Sequence, residues 1–292
     1  MSFQHLERII LQYYDGDYFT VIPRPLILDP ILALLRELRE RADGENFLEA
    51  LHVNAEQNLH RKFPSITVQT SVDDFLGYFT GHNFRMEFVG LIFALAGVAS
   101  SYVEVEDAFA QQDFAADMYA ASKLCTDMCG ENNQVNDLTV WLRYMNAVLS
   151  SNLSGDASAM LYHRFNEFAA ELFIMGFHKL ISTSPDIPFF ILETRKRIFS
   201  AAVTRDASLA TFLGRPPRID CNFCDFVIPL DLDDDEVEPA VRAIGILCRC
   251  ANSNDILDFR QNYGAHMKKT LDQQVIVAIQ AKSSQGDFGK TS

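Results

Sequence analysis

The chain has 292 residues, of which 48% are hydrophobic and 22% charged, and its formal net charge is −14. This composition is typical of a globular protein, and the length is sufficient for one large domain or two. A protein that grips DNA phosphates needs a positive face, whereas the basic residues here are scattered, so we expect no direct binding of nucleic acid.

The N-terminal sequence has no basic cap before a continuous apolar core, so we expect no signal peptide. The longest uncharged run, residues 88–103, is shorter than the roughly 20 residues that span a bilayer. Its small residues, including Gly90 and Gly97, predict a core helix that its neighbours approach closely. Arg85 and Glu87 are expected to flank the entrance of this helix rather than to contact a ligand. We therefore expect a soluble, intracellular protein without membrane association.

The first predicted helix covers residues 5–14 and turns one apolar face inward. The residues on that face are Leu6, Ile9, Ile10 and Tyr13. An extended connector with two prolines, residues 18–25, is expected to follow. Pro30 then begins a predicted helix over residues 31–41, and another helix runs from residue 46 to about residue 60.

One candidate metal half-site lies in the last of these helices. Glu49 and His52 have the Glu-x-x-His spacing that carboxylate-bridged di-iron centres use. Such a centre needs this pattern twice and two further glutamates, and the sequence contains the pattern once. We therefore expect a surface pair.

Capping residues mark two further helix starts. Ser71, followed by Asp73 and Asp74, predicts an N-cap with an acidic first turn. Asp156 or Ser158 is expected to cap another helix. A hydrolase nucleophile elbow needs a strand before its turn, and no strand is predicted before this turn. The inward residues of that helix are predicted to be Met160, Leu161, Phe165, Phe168, Ala169, Leu172 and Met175.

Two long helices are predicted between these starts. One covers residues 114–129 and is expected to end at Gly130. Asp137 opens the other, whose broad apolar face includes Trp141, the single tryptophan of the chain. We expect Trp141 to anchor the core.

The longest predicted helix covers residues 189–213 and forms the structural centre of the chain. Glu193 is expected in its first turn, where negative charge suits the helix dipole. Gly214 and the following Pro216-Pro217 pair predict its end. Its inward residues are predicted to be Ile191, Ile198, Ala202, Leu209 and Leu213, with Phe199, Val203 and Phe212 widening the face.

Asp206 lies within this otherwise apolar helix, where a buried carboxylate needs a partner. We expect Asp206 to accept hydrogen bonds from an arginine or from loop backbone. These bonds would fix the helix against the turn that begins at Gly214. A catalytic role for this residue is not expected.

Six cysteines are spread through the chain: Cys125, Cys129, Cys221, Cys224, Cys248 and Cys250. A binuclear zinc cluster concentrates six thiolates into a short basic segment, and only Cys221 and Cys224 have the spacing of a ligand pair. We therefore expect free thiols, buried or partly exposed, in a reducing compartment.

The C-terminal part of the sequence predicts an acidic run, three helices and a tail. The acidic run, residues 231–238, suits a helix N-terminus, and a miniature activation segment is the alternative. The helices are predicted over residues 243–250, 256–263 and 271–281. The polar residues 282–292 are expected to be a disordered tail.

Several motifs follow one another in a recognisable order. They are the triplet Arg195-Lys196-Arg197, Asp206 with Ser208, the run Gly214-Arg215-Pro216-Pro217, and Pro229-Leu230-Asp231. This order resembles the fungal-specific transcription factor domain, the middle homology region of binuclear zinc cluster regulators. Further matches to that family are Arg85 with Glu87, Gly155-Asp156-x-Ser158, and Gly176-Phe177-His178. Met86 stands where the family commonly has tryptophan, and Ala207 where it often has a basic residue.

The resemblance covers residues 10–237 and agrees with the helical periodicity. Together they predict an all-α fold with a single domain of about nine to eleven helices over residues 1–281. The resemblance implies a regulatory module of a fungal transcription factor, located in the nucleus. In that family DNA is bound by a zinc cluster, which is absent from this chain.

Partners implied by the resemblance are proteins of the transcription machinery or a DNA-binding module. A small-molecule effector and a homodimer are left open. No nucleophile, base and orienting group converge, so the chain is not expected to be an enzyme, and no catalytic, cofactor-binding or metal-ligating residue is predicted.

Two alternatives remain for the function. One is a standalone helical interaction or scaffold protein that has lost the zinc cluster. The other is a small-molecule-binding protein of secondary metabolism. Members of the family usually continue beyond this sequence, so a fragment or a truncated gene product is expected.

Overall fold

The computed structural model describes residues 3–16, 20–40, 44–102, 108–132, 134–179, 187–225 and 229. Within these ranges the chain is all-α, with nine α-helices and no strand, as the sequence predicts. The helices are α1 Phe3–Asp15, α2 Arg24–Glu40, α3 Gly44–Leu59, α4 Val72–Gly77, α5 Met86–Ser100, α6 Ala108–Glu131, α7 Asp137–Ser154, α8 Ala159–Ile174 and α9 Phe189–Leu213. Short 3₁₀ turns cover Gly81–Asn83, Phe177–Lys179 and Cys221–Phe223.

The described helices belong to one compact unit, Met1–Pro229. The predicted domain end at residue 281, the acidic run, the three C-terminal helices and the tail over residues 282–292 lie outside the described residues. The predictions for those segments therefore stay predictions.

Helix α5 lies at the centre of this unit, where it packs against α6, α7 and α1. Nearly every residue of α5 is buried, as the uncharged sequence predicts. Gly90 and Gly97 allow the close approach, because a Cβ atom at either position would lie within 3 Å of a side chain of α6 or α7. None of the described helices is long and apolar enough to cross a membrane.

An aromatic cluster joins α4, α7 and α9 beside this centre. The ring of Phe75 lies 5.7 Å from that of Trp141 and 5.8 Å from that of Phe190, measured between centroids. All three side chains are fully buried. Trp141 is thus the core anchor that the sequence predicts, and burial of such large rings contributes strongly to stability.

Two predicted helix starts are wrong by several residues. Helix α2 begins at Arg24, so Pro25 lies in its first turn and Pro30 inside it, whereas the sequence predicted a start at Pro30. Proline is tolerated in a first turn because the N–H it lacks would have no helical partner there. At Pro30 the lost hydrogen bond is offset by the continuous buried face of Leu26, Ile27, Leu28 and Ile31.

Helix α6 is also longer than predicted. It begins at Ala108 and passes through Gly130 to end at Glu131. A single glycine near a helix end costs only about 1 kcal/mol relative to alanine, so it does not force termination. The polar residues Gln111, Gln112 and Asp113 lie in the first turns of this helix.

Helix α9 is buried on all sides in its N-terminal half and only on one side in its C-terminal half. Every residue from Phe190 to Phe199 is buried, which confirms that this helix is covered on more than one side. Glu193 lies in the second turn and not in the first, and Phe212 is 75% exposed, so both of those predictions are wrong. The predicted inward position of Met160 on α8 is wrong too, because its side chain is 38% exposed.

Candidate functional site

A buried ion pair lies at the start of α5. Arg85 is the N-cap residue and Glu87 is in the first turn, so both flank the helix entrance as predicted. The guanidinium Nη2 and Nε of Arg85 donate to the Glu87 carboxylate at 2.9 to 3.2 Å, and each residue is 2% exposed. Arg85 Nη1 also donates to the carbonyl oxygen of Arg61 at 3.0 Å. The pair therefore ties the segment after α3 to the central helix.

A second buried ion pair joins α7 to α9. The two carboxylate oxygens of Asp137 accept from Nε and Nη2 of Arg195 at 2.7 and 2.8 Å, a bidentate arrangement. Arg195 also lies over the ring of Phe177, with its Cζ 5.2 Å from the centroid. Burial by itself lowers the pKa of Arg195, but the charge and hydrogen bonds of Asp137 raise it above its usual value.

Asn136 connects the two pairs. It caps α7, where its side-chain oxygen accepts from the N–H groups of Leu138 and Thr139. Its Nδ2 donates to Glu87 Oε1 at 3.1 Å. Because Asn136 and Asp137 are neighbours in the chain, the hydrogen-bonded groups Arg85–Glu87–Asn136 and Asp137–Arg195 lie side by side, and we call these five buried residues the ion-pair network. It holds α5, α7 and α9 in register.

The basic triplet of α9 is part of the interior. Arg195, Lys196 and Arg197 are 8%, 6% and 9% exposed, respectively. Lys196 Nζ lies 3.5 Å from Glu193 Oε2 one turn earlier, and both side chains are buried. The triplet therefore does not present a basic surface to solvent.

Asp206 forms hydrogen bonds with the loop that follows α9. Its Oδ2 accepts from the backbone N–H groups of Arg218 and Ile219, both at 2.6 Å. The predicted partner is thus confirmed as loop backbone. Burial raises the pKa of Asp206, and these two N–H groups oppose that effect. Gly214 ends the helix with a left-handed backbone (φ 62°), which turns the chain back toward Asp206.

Replacing Asp206 by Ala is expected to lower the free energy of unfolding by about 1–3 kcal/mol, because a buried and a part-buried backbone N–H group lose their acceptor. Asp206→Asn keeps an oxygen in the same place and should cost less. Urea denaturation measures both, with Asp220→Ala as the control because Asp220 is exposed and its side chain bonds only Asn222 among the described residues. Equal stability of Asp206→Ala and the unchanged chain would show that the hydrogen bonds of Asp206 to the loop do not stabilise the fold.

A small cleft lies beside Asp206, between the end of α9 and α8. Its enclosed space is about 10 Å³, and Tyr162, Asp206, Arg215 and Arg218 contribute to its wall. Pockets that enclose drug-sized ligands occupy roughly 300–1,000 Å³. The cleft therefore has room for about one water molecule.

The remaining candidate residues have structural or surface positions. Ser158 caps α8 by accepting from the N–H of Leu161 at 3.1 Å. Asp156 instead contacts Arg205 and Ser151, so of the two predicted caps Ser158 is the one observed. Glu49 and His52 are exposed on α3, and His52 lies 3.5 Å from Glu56 and thus forms a surface pair with a different glutamate.

Two of the predicted free thiols, Cys125 and Cys129, are confirmed. Cys125 and Cys129 are buried on α6, and Cys224 is half-buried. Burial raises the pKa of Cys125 to about 11 and raises that of Cys129 as well. Among the described residues no three His, Cys, Asp or Glu side chains lie close enough to hold a metal ion. Cys248 and Cys250 lie outside them.

Sequence reasoning missed the ion-pair network because its contacts span long distances along the chain. Asp137 and Arg195 are 58 residues apart, and Glu87 and Asn136 are 49 apart. One signal was present: Arg195 has the apolar residues Ile191 and Phe199 four positions away on a helix that was predicted to be covered on several sides. A buried arginine needs a carboxylate, and Asp137 opens another buried helix.

Comparisons of the chain with protein-family models, with curated proteins and with solved structures find no match.

Proposed function

We propose that this chain is the regulatory module of a fungal transcription factor that controls transcription by RNA polymerase II. A zinc cluster outside this chain would bind DNA, and the module would restrain or transmit activation in the nucleus. The proposal rests on the motifs that resemble the fungal-specific transcription factor domain. What supports it is the way in which those motifs meet in the fold.

The motifs lie far apart in the sequence and contact one another in the structure. Arg195 of the basic triplet lies over Phe177 of the Gly-Phe-His motif. Through Asp137 and Asn136 it is linked to the Arg85–Glu87 motif. Unrelated chance matches would have no reason to share one buried network, whereas the signature of a fold would.

Other contacts also involve motif residues that lie far apart in the sequence. Asp156 of the Gly-Asp-x-Ser motif pairs with Arg205, the residue next to Asp206. Asp206 in turn holds the loop that follows the Gly-Arg-Pro-Pro run. These motif residues are therefore used for packing, which supports a regulatory fold rather than a catalytic site.

The charge distribution supports the proposal that a separate module, and not this chain, binds DNA. The chain carries a formal net charge of −14, and its one basic triplet is buried. Phosphate binding requires exposed Lys and Arg on one face, and the buried triplet does not supply such a face. We infer that the chain acts through protein contacts.

A reporter experiment tests this proposal. The full chain is fused to a heterologous DNA-binding domain in a fungal host, and transcription is read from a promoter with basal activity and its binding site. We expect the fusion to change transcription severalfold relative to the DNA-binding domain alone. Asp137→Ala, which breaks the ion-pair network, should abolish the change, and the exposed substitution Lys123→Ala should preserve it.

The two variants separate a folded module from an acidic sequence that activates without structure. Retention of full reporter activity by Asp137→Ala, at equal protein level, would attribute the effect to acidic composition and contradict the proposal. A folded fusion that leaves transcription unchanged would also contradict it. That second result would favour the standalone interaction or scaffold protein, which needs no effect on a promoter.

A further inference from the structure

We propose that Ser65 is a phosphorylation site for a protein kinase that selects a basic residue three positions before its acceptor. Ser65 lies in the loop that joins α3 to α4, and Lys62 occupies the third position before it. ATP, bound by the kinase, is the phosphoryl donor. This inference goes beyond the regulatory function proposed above and does not depend on it.

The loop holds Ser65 in a form that a kinase can bind. Residues 62–67 have no regular secondary structure, and Ser65 and its neighbour Pro64 are exposed. Pro64 also restricts the residue before it, Phe63, to extended conformations. Neither the hydroxyl nor the backbone N–H of Ser65 makes a hydrogen bond to another described residue. A kinase groove that takes an extended peptide therefore breaks no contact of Ser65 when it binds this segment.

Two anchors fix the segment on either side of Ser65. Before it, the Phe63 ring lies under the guanidinium group of Arg85, whose Cζ is 5.5 Å from the ring centroid. After it, the N–H of Thr67 donates to Thr70 Oγ1 at 3.0 Å, and the N–H of Thr70 donates to the carbonyl oxygen of Thr67 at 2.9 Å. Because both ends are fixed, less conformational entropy is lost when the segment binds than for a free peptide.

The charge of the loop suits a kinase of this class. Arg61 and Lys62 stand four and three residues before Ser65, and no Asp or Glu occurs over residues 57–72. Both cations are exposed, and neither pairs with a carboxylate among the described residues. Kinases that select basic residues bind them with carboxylates in the substrate groove, and such charge patterns decide which serine is chosen.

Other described hydroxyls with the same spacing are less accessible. Arg or Lys also lies three positions before Thr126, Ser200 and Ser208. All three lie within helices, where Thr126 is buried and Ser200 half-buried. Ser208 is exposed, but its hydroxyl donates to the carbonyl oxygen of Thr204 at 2.9 Å. Among these four hydroxyls, Ser65 alone combines the basic spacing with an exposed, extended backbone.

The reaction transfers the γ-phosphoryl group of ATP to the Ser65 hydroxyl. Oγ of Ser65 forms a bond to the γ-phosphorus, the bond from that phosphorus to the bridging oxygen of the β-phosphate breaks, and ADP leaves. The hydroxyl proton passes to the catalytic carboxylate of the kinase. The product carries a charge of about −1.5 to −2 at neutral pH, which offsets the positive charges of Arg61 and Lys62.

Phosphorylation of the purified full chain tests the proposal. The folded chain is incubated with radiolabelled ATP and a protein kinase selective for Arg or Lys at the third position, and in a separate reaction with a kinase selective for acidic surroundings. Label transfer gives the rate, and tandem mass spectrometry locates the phosphate. We expect Ser65 to be the main acceptor of the first kinase and to be left unmodified by the second. The chain purified from the fungal host, with phosphatases inhibited, should carry phosphate on Ser65.

Variants separate the basic spacing from the accessibility of the segment. Ser65→Ala should remove most of the label. Lys62→Gln should slow transfer to Ser65 about tenfold, because a charge-assisted contact to the kinase is lost, and Lys62→Arg should retain the rate. Ser208→Ala is the matched control, because Ser208 has the same spacing within a helix, and it should leave the label unchanged.

Circular dichroism confirms that each variant remains folded before it is assayed. Absence of phosphate on Ser65 in either preparation, equal rates for Lys62→Gln and the unchanged chain, or transfer to Ser208 as fast as to Ser65 would each overturn the proposal. The reporter experiment does not depend on Ser65, so failure of one proposal leaves the other standing.

Discussion

Replacing Asp137 by Ala should lower the free energy of unfolding by about 3–5 kcal/mol, because it leaves the buried guanidinium of Arg195 without its carboxylate. Asp137 is 1% exposed and Arg195 8%, so water cannot replace the lost partner without opening the structure. The same change removes one of the links between α7 and α9. Urea denaturation of the full chain, followed by far-ultraviolet circular dichroism, measures the loss.

A double variant separates the cost of the unpaired charge from the value of the pair. Asp137→Ala combined with Arg195→Met removes both charges and keeps an apolar stem over Phe177, so it should be more stable than Asp137→Ala alone. Lys123→Ala is the matched control, because the Lys123–Asp127 pair is exposed and such pairs contribute at most about 1 kcal/mol. A loss for Asp137→Ala no larger than that of the control would show that the ion pair is not buried in solution.

Local patterns were enough to predict much of this fold. The spacing of Leu6, Ile9, Ile10 and Tyr13 predicted the inward face of α1, and all four are buried. Ser71 with Asp74 forms the predicted cap of α4 as a reciprocal capping box. Gly214 ends α9, as predicted. Each of these features depends on residues within one or two helical turns, where sequence spacing and spatial distance agree.

Prediction failed where tertiary contacts decide the outcome. The sequence around Pro30 has the local features of a helix start. Only burial of the preceding turn explains why α2 begins at Arg24. Met160 and Phe212 continue apolar patterns, yet both are exposed because no described neighbour covers the helix ends on which they lie. Apolar periodicity identifies a face, and the packing of other helices determines how far along the helix that face is covered.

Asp206 and Asp137 show why the partner of one buried aspartate could be predicted from the sequence and that of the other could not. Asp206 interrupts an apolar helix, so its need for a partner was visible in the sequence, and the partner lies 12 and 13 residues away. Asp137 stands at a helix start, where a carboxylate already has a local explanation in the helix dipole. That local explanation concealed the pairing with Arg195, which depends on two helices meeting.

Replacing Gly90 by Val should lower the free energy of unfolding by roughly 3 kcal/mol through overpacking of the central helix. A Cβ atom at this position would lie 2.7 Å from Cβ of Cys125 and 3.0 Å from both methyl groups of Leu142. Cβ of Cys125 is fixed directly to the backbone of α6, so the contact can be relieved only if α5 and α6 move apart. Gly77→Val is the matched control, because nothing lies within 4 Å of the added Cβ and valine has the higher helix propensity, so this change should be neutral or slightly stabilising. Urea denaturation of the two variants should thus give opposite or clearly unequal shifts, and equal midpoints would mean that α5 and α6 do not approach as closely as the structure indicates.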